Sequence, residues 1–173
     1  MRTIETGTLT LEPQCAAHAP AMFIVLSDPA IYEYENAPPA SLEWLRNRFA
    51  KLETRRSADG REQWLNWVIR LPSSELIGYV QATVRSCDAA IAYELASTHW
   101  GRGLAFQAVQ AMNAELGGHY GVARLSAVLK RDNMRSRSLL ERLGFAPAAP
   151  EDVIKSGIEE DEILMKRELA HGR

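Results

Sequence analysis

Cysteine is scarce in this chain of 173 residues, and the two present, Cys15 and Cys87, stand far apart with no Cys-x-x-Cys and no Cys/His spacing. That pattern signals neither a disulfide framework nor a zinc site, and it fits reduced thiols in a cytosolic protein. The four histidines, His18, His99, His119 and His171, share no spacing that suggests a metal, so no metal is expected. Long hydrophobic runs are missing as well. The longest, Ala16 to Leu26, is broken by His18 and Pro20 and is too short to span a bilayer. Met1 to Gly7 lacks the apolar stretch of a signal peptide. Nor is there an excess of positive charge: 20 Lys and Arg against 22 Asp and Glu leave a formal net charge of −2. This argues against a general binder of nucleic acid or anionic membrane, so any basic site must be local. We find no internal repeat, low-complexity tract or interdomain linker. A cytoplasmic chain forming one domain over residues 1–173 is the simplest expectation.

What is present is ordinary for a soluble globular protein, 46% apolar and 24% charged, enough to build a core. Thr8 to Leu11 alternates as a first strand, and Ala16 to Ser27 is helix-like, ending before Asp28-Pro29. Tyr32 to Asn36 followed by Pro38-Pro39 reads as a loop. Ser41 is an N-cap for a helix whose Leu42, Leu45, Phe49 and Leu52 recur on one face as core. Beyond the polar break at Ser57 to Arg61, Trp64 to Leu71 and Leu76 to Val84 read as a hairpin turned by Pro72-Ser73-Ser74. Ala90 to Leu95 is the next strand, Leu104 to Leu116 a helix, and Arg124 to Leu129 a buried strand. Asn133 to Leu143 is a helix stopped by Gly144, and Glu162 to Leu169 is a last strand after the acidic turn Gly157 to Asp161. Alternating strands and helices in the second half call for a crossover and parallel pairing.

The most informative stretch joins two signals. Tyr93-Glu94-Leu95 reads as a strand end, and Trp100-Gly101-Arg102-Gly103-Leu104-Ala105 as a glycine turn entering a helix. Such a turn cradles a phosphate, because glycine lets the backbone approach closely and the first-turn N–H groups face an anion. The same pattern also occurs as a plain connection. About thirty residues on, Asn133-Met134-Arg135-Ser136 leads into Leu143-Gly144-Phe145.

Together these segments resemble the GNAT N-acetyltransferases, particularly the branch of ribosomal-protein alanine acetyltransferases, with the resemblance strongest from Glu75 to Phe145. It implies an α/β (α+β) fold: a mixed central sheet of about six to seven strands flanked by about four helices. The fourth and fifth strands of that sheet, here Ala90 to Leu95 and Arg124 to Leu129, would splay apart and admit acetyl-CoA. Backbone N–H groups around Arg102, Gly103, Ala105 and Phe106 would hold the pyrophosphate, assisted by the helix dipole. The edge of Leu95, Ala96 and Ser97 would pair with the amides of pantetheine. Asn133 would start the later helix beside the cofactor's arm.

The resemblance further implies direct attack of a primary amine on the thioester in a ternary complex, with no acyl-enzyme. Glu94 is the candidate general base, directly or through a water. Its other reading is a carboxylate facing solvent or paired with an arginine. Ser136, one helical turn past Asn133, is the candidate to meet the thiolate, its other reading being a local bond to the helix backbone. Many relatives carry a tyrosine seven residues after the asparagine, where this chain has Leu140. Leu139, Leu140 and Leu143 read as core.

Tyr32, Glu33, Tyr34 and Glu35 fall in a loop that in this family borders the acceptor pocket, and their aromatic and acidic character suits a cationic amine. They read equally as a solvated loop. His99 reads as an exposed turn histidine. Trp64 and Trp67 fall on opposite strand faces, one in the core and one facing the cleft.

An acetyl-CoA-dependent N-acetyltransferase is therefore expected, acting on a protein N-terminus or a small amine, as monomer or homodimer. A non-catalytic acyl-CoA-binding module is the alternative, with Leu140 in its favour. A P-loop enzyme is disfavoured, since Gly101 to Ala105 lacks Gly-x-x-x-x-Gly-Lys-Ser/Thr.

Overall fold

The computed structural model describes residues 1–34 and 36–169; Glu35 of the loop after Tyr34 and His171 lie outside the described residues. Eight strands form one mixed sheet in the order β1-β2-β3-β4-β5-β6-β8-β7. They are β1 (Ile4–Glu5), β2 (Thr10–Pro13), β3 (Gln63–Arg70), β4 (Leu76–Arg85), β5 (Asp88–Leu95), β6 (Arg124–Lys130), β7 (Ala146–Pro147) and β8 (Glu162–Glu168). Five α-helices accompany them: α1 (Ala19–Val25), α2 (Leu42–Leu52), α3 (Leu104–Tyr120), α4 (Met134–Arg142) and α5 (Pro150–Ser156). The GNAT-type sheet expected from the sequence is present, and the higher strand count comes from the two-residue strands β1 and β7. The additional helix, α5, has no buried residue and so no apolar stripe to announce it.

Neighbouring strands are antiparallel except β5 and β6, whose parallel pairing requires the crossover through α3. That pairing covers only Asp88–Ala90 against Arg124–Ser126. On its other side β5 pairs with β4 along its whole length, Gly78↔Leu95 to Arg85↔Asp88. β5 therefore follows β4, and the lower halves of β5 and β6 diverge.

Local chemistry sets the helix starts. The Ser41 hydroxyl accepts the Trp44 N–H at 3.0 Å and caps α2, whose Leu45 and Phe49 are buried. The run from Ala16 is not one helix: a 3₁₀ turn over Ala16–His18 comes first, and α1 begins beside Pro20, which fits only a first turn. β6 is buried on one face alone, with Leu125, Ala127 and Leu129 inward and Val128 exposed, which corrects the reading of a strand buried throughout.

Two cores cover the two faces. One joins Trp67, Val80 and Met165 to Met112 and Leu116 of α3 and Leu140 of α4. The other packs Met22, Leu45 and Phe49 of α1 and α2 on Val68. Trp67 is fully buried, its Nε1 donating to the Arg2 carbonyl at 3.0 Å. Trp64 does not face the cleft: its indole lies beside Lys51 and donates to Glu62 at 2.9 Å.

Candidate active site

Where β5 leaves β6 a cavity of about 680 Å³ opens, and its lining comes from both faces of the sheet. Tyr32, Trp44, Phe49, Tyr79 and Glu94 belong to the α1/α2 face, and Tyr93, Phe106, Ser136 and Leu139 to the α3/α4 face. Glu94 shares the first face because it stands directly opposite Tyr79 in the ladder. Its neighbour Tyr93 necessarily projects to the other.

The α3/α4 face carries the glycine turn and the N-terminus of α3. Gly101 and Gly103 adopt φ of 74° and 75°, a left-handed turn that side chains rarely adopt, and Gly103 is the N-cap of α3. Leu104, Ala105 and Phe106 follow in the cavity wall, where the first-turn N–H groups of a helix have no intrahelical acceptor. Trp100 is pinned by its Nε1, which donates to the Leu95 carbonyl at 2.9 Å. Over its ring lies the Arg135 guanidinium, 3.6 Å from the centroid, and Arg142 stands 4.7 Å from the Phe106 ring. These cation–π contacts tie α4 to the glycine turn.

Asn133 is the N-cap of α4, its side-chain oxygen accepting the Ser136 N–H at 3.1 Å. The Tyr93 hydroxyl donates to the Ser136 carbonyl at 3.4 Å, a long bond. Burial pushes the Tyr93 phenol up to about 12, so it stays protonated at neutral pH.

On the α1/α2 face the Tyr32 hydroxyl donates to the Leu26 carbonyl at 2.7 Å, leaving its ring as cavity wall. Burial first, then the charges of Glu94 and Asp28, raise this phenol to about 12. The Asp28 carboxylate caps the 3₁₀ turn over Pro29–Tyr32 through Ala30 N at 3.0 Å and accepts Ser97 N–H at 2.7 Å. Under the end of β5 sits Gly78, where an added Cβ would lie 2.1 Å from the Glu94 carbonyl oxygen.

Of the residues expected from sequence, Tyr32, Tyr34, Glu94, Leu95, Gly103, Ala105, Phe106, Asn133 and Ser136 line the cavity. Ala96, Ser97, Arg102 and Glu33 are outside its lining. Ala96 N–H is bound to the Ile77 carbonyl and Ser97 N–H to Asp28, while Arg102 and Glu33 are exposed. His99 is not the exposed turn residue expected: it is 8% exposed, near Glu75 at 3.7 Å, because the 3₁₀ turn after β5 folds it inward. Tyr79, Tyr93 and Arg135 line the cavity without having been singled out. Period-two alternation assigns Tyr79 and Tyr93 to faces, but nothing local shows which face borders a gap.

A sequence model of the acetyltransferase (GNAT) domain matches residues 8–146. The chain belongs to the GNAT acetyltransferase family. An uncharacterized N-acetyltransferase of Bacillus subtilis (strain 168), YoaA, is 25% identical over 146 residues, covering 82% of this chain and 81% of that protein. The GNAT fold is shared with RimL, a ribosomal L7/L12 α-N-protein acetyltransferase solved in complex with coenzyme A. The TM-score is 0.82 at 18% identity, over 98% of this chain and 99% of RimL. It is shared also with the ribosomal-protein-S5-alanine acetyltransferase of Vibrio fischeri, at TM-score 0.77 and 18% identity, over 96% of each chain. Among the described residues no helix is long and apolar enough to cross a membrane, and no group of three or more His, Cys, Asp or Glu could hold a metal ion.

Proposed function

We propose that this GNAT protein is an acetyl-CoA-dependent N-acetyltransferase whose acceptor is a primary amine, a protein N-terminus or a small molecule. The observation that carries this reading is the cavity through the sheet, with a carboxylate on one face and a helix N-terminus beside the glycine turn on the other. Acetyl-CoA supplies the acetyl group as an activated thioester. The residues present fit it. Positive φ at Gly101 and Gly103 leaves a turn with no side chain in the way, and the N–H groups of Ala105 and Phe106 would hold the pyrophosphate. The divergence of β5 from β6 leaves room for the pantetheine arm.

The acceptor enters from the α1/α2 face, among Tyr32, Tyr34 and Trp44, whose ring faces attract an ammonium group. Glu94 takes the amine's proton, directly or through a water, so that nitrogen attacks the carbonyl carbon across the gap. Ser136 lies on the opposite side, at the first turn of α4, where the departing sulfur emerges. Separating base and leaving group by the thickness of the sheet suits one direct displacement with no covalent enzyme intermediate.

The test is titration calorimetry with acetyl-CoA and with CoA, followed by a thiol-release assay over a panel of amines. Saturable binding and amine-dependent release support the proposal. Glu94→Gln is expected to lower kcat by roughly 10²- to 10⁴-fold, the range of general base catalysis, while acetyl-CoA affinity holds. One observation favours a second reading, an acyl-CoA-binding module without turnover: Leu140 is a core residue, 1% exposed. Binding without turnover on any amine would select it.

A further inference from the structure

We infer that Tyr93 is the hydrogen-bond donor to the sulfur that leaves when the amide forms. The inference rests on the acetyl-transfer reading of the same cavity. A thioester expels a thiolate, and a cavity dry enough to hold the reactants must offer that sulfur a donor. Of the four tyrosines lining the cavity, Tyr32 and Tyr79 lie on the acceptor face, Tyr34 stands in the loop two residues past Tyr32, and the Tyr32 hydroxyl is held by the Leu26 carbonyl at 2.7 Å. Tyr93 alone among Tyr32, Tyr79 and Tyr93 belongs to the face of α3 and α4. It follows the paired part of β5, beyond Ala90, so its ring stands where the two strands have parted. Its hydroxyl reaches the Ser136 carbonyl at 3.4 Å, which places a phenol beside the first turn of α4, one turn before Leu140, whose side chain brings no polar group. That long bond is weak, and a hydroxyl rotor gives it up at small cost for a charged acceptor.

Adjacent positions of one strand thus divide the work. Glu94 faces the amine, and Tyr93 faces the sulfur. In the step, the C–N bond forms as the C–S bond breaks, and the C–S electron pair goes to sulfur. The amine attacks as the neutral species, its ammonium proton already passed to solvent through Glu94, and the second proton, freed from nitrogen as the amide forms, passes to Glu94. Tyr93 keeps its own proton: its phenol, raised to about 12, lies above the range of an alkyl thiol, so it donates a hydrogen bond without being consumed. The thiolate takes up a proton from solvent on release, and Glu94 returns its proton there.

Tyr93→Phe removes the hydroxyl and keeps the ring that packs under α4. It is expected to lower kcat by roughly 10- to 100-fold, the size of one hydrogen bond to a charged group, with KM for acetyl-CoA and Tm unchanged. A second readout needs no turnover: the ratio of CoA to acetyl-CoA affinity as the pH is raised through the range in which the coenzyme's thiol ionises. The wild type favours CoA there, and Tyr93→Phe loses that preference. Unchanged kcat and an unchanged ratio in a wild-type background that binds and turns over would overturn the role of Tyr93 alone. The same follows if Ser136→Ala, and not Tyr93→Phe, abolishes the preference for CoA. Failure of the wild type to bind acetyl-CoA would overturn the transfer reading itself.

Discussion

The carboxylate of Asp28 accepts the backbone N–H of Ser97 at 2.7 Å, fastening the turn that carries Tyr32 to the segment just past β5, two residues beyond Leu95 and three beyond Glu94. One side chain thereby sets the distance between an acceptor wall and the candidate base. Asp28→Ala should raise KM for the amine several-fold and leave acetyl-CoA affinity intact. The stability loss should be about 1 kcal/mol, since this charge-assisted bond is partly open to solvent. Steady-state kinetics in the two substrates separately checks it. Asp28→Asn, which keeps an acceptor oxygen, should recover most of the effect.

Gly78 is the second lever on Glu94. A Cβ there meets the Glu94 carbonyl oxygen at 2.1 Å and the Leu95 Cα at 2.9 Å, and both are backbone atoms that yield only if β5 moves. Gly78→Ala should cost about 1–3 kcal/mol by overpacking and reduce kcat more than it reduces acetyl-CoA affinity. Thermal melts with single-turnover rates test this. An unaffected rate would mean that the position of Glu94 does not matter to the chemistry.

Gly103 has open space where a Cβ would go, but its φ is 75°. Gly103→Ala should therefore lower stability by roughly 1–2 kcal/mol through backbone strain while the protein still folds. Acetyl-CoA affinity should fall further than the Tm shift accounts for, because a methyl group would stand against the pyrophosphate. Calorimetry with acetyl-CoA decides it; normal affinity would place the pyrophosphate elsewhere.

Acid sensitivity follows from five carboxylates held below their usual range: Glu12 by hydrogen bonds from Arg70, Asp28 by those from Ser97, Asp59 by those from Ser57 and Arg61, Glu62 by those from Trp64 and Arg85, and Asp88 by those from Arg124. A depressed carboxylate stabilises the fold fully above its unfolded value, near pH 4, and loses that contribution as pH falls through the folded value. Urea midpoints should therefore be flat across these groups from about pH 6 down to about pH 5 and drop below about pH 4. Glu12→Gln should flatten the drop, since Glu12 holds Arg70 through two bonds of 2.6 and 2.9 Å.

Much of the site was legible because its chemistry is local. The glycine turn before α3, the Asn133 and Ser41 caps, and the strand end at Glu94 each depend on a few consecutive residues, and each stands where the sequence placed it. The helix faces of α2 and α4 followed from the spacing of their leucines. Less visible were elements with no apolar signature, such as β1, β7 and α5, and residues whose surroundings come from elsewhere. His99 has turn-like neighbours in sequence, yet it is buried beside Glu75 of the preceding hairpin.

By itself the sequence determined the family, the order of the long strands and of helices α1 to α4, and the residue types that can bind an anion and move a proton. Only the tertiary structure decided where the β5–β6 pairing stops, because that depends on β5 following β4 and on the room Gly78 leaves beneath it. It decided also that Tyr93 meets α4 while Glu94 meets the acceptor wall. Alternation along a strand separates two side chains, but what each one faces is set by the helices packed on either side.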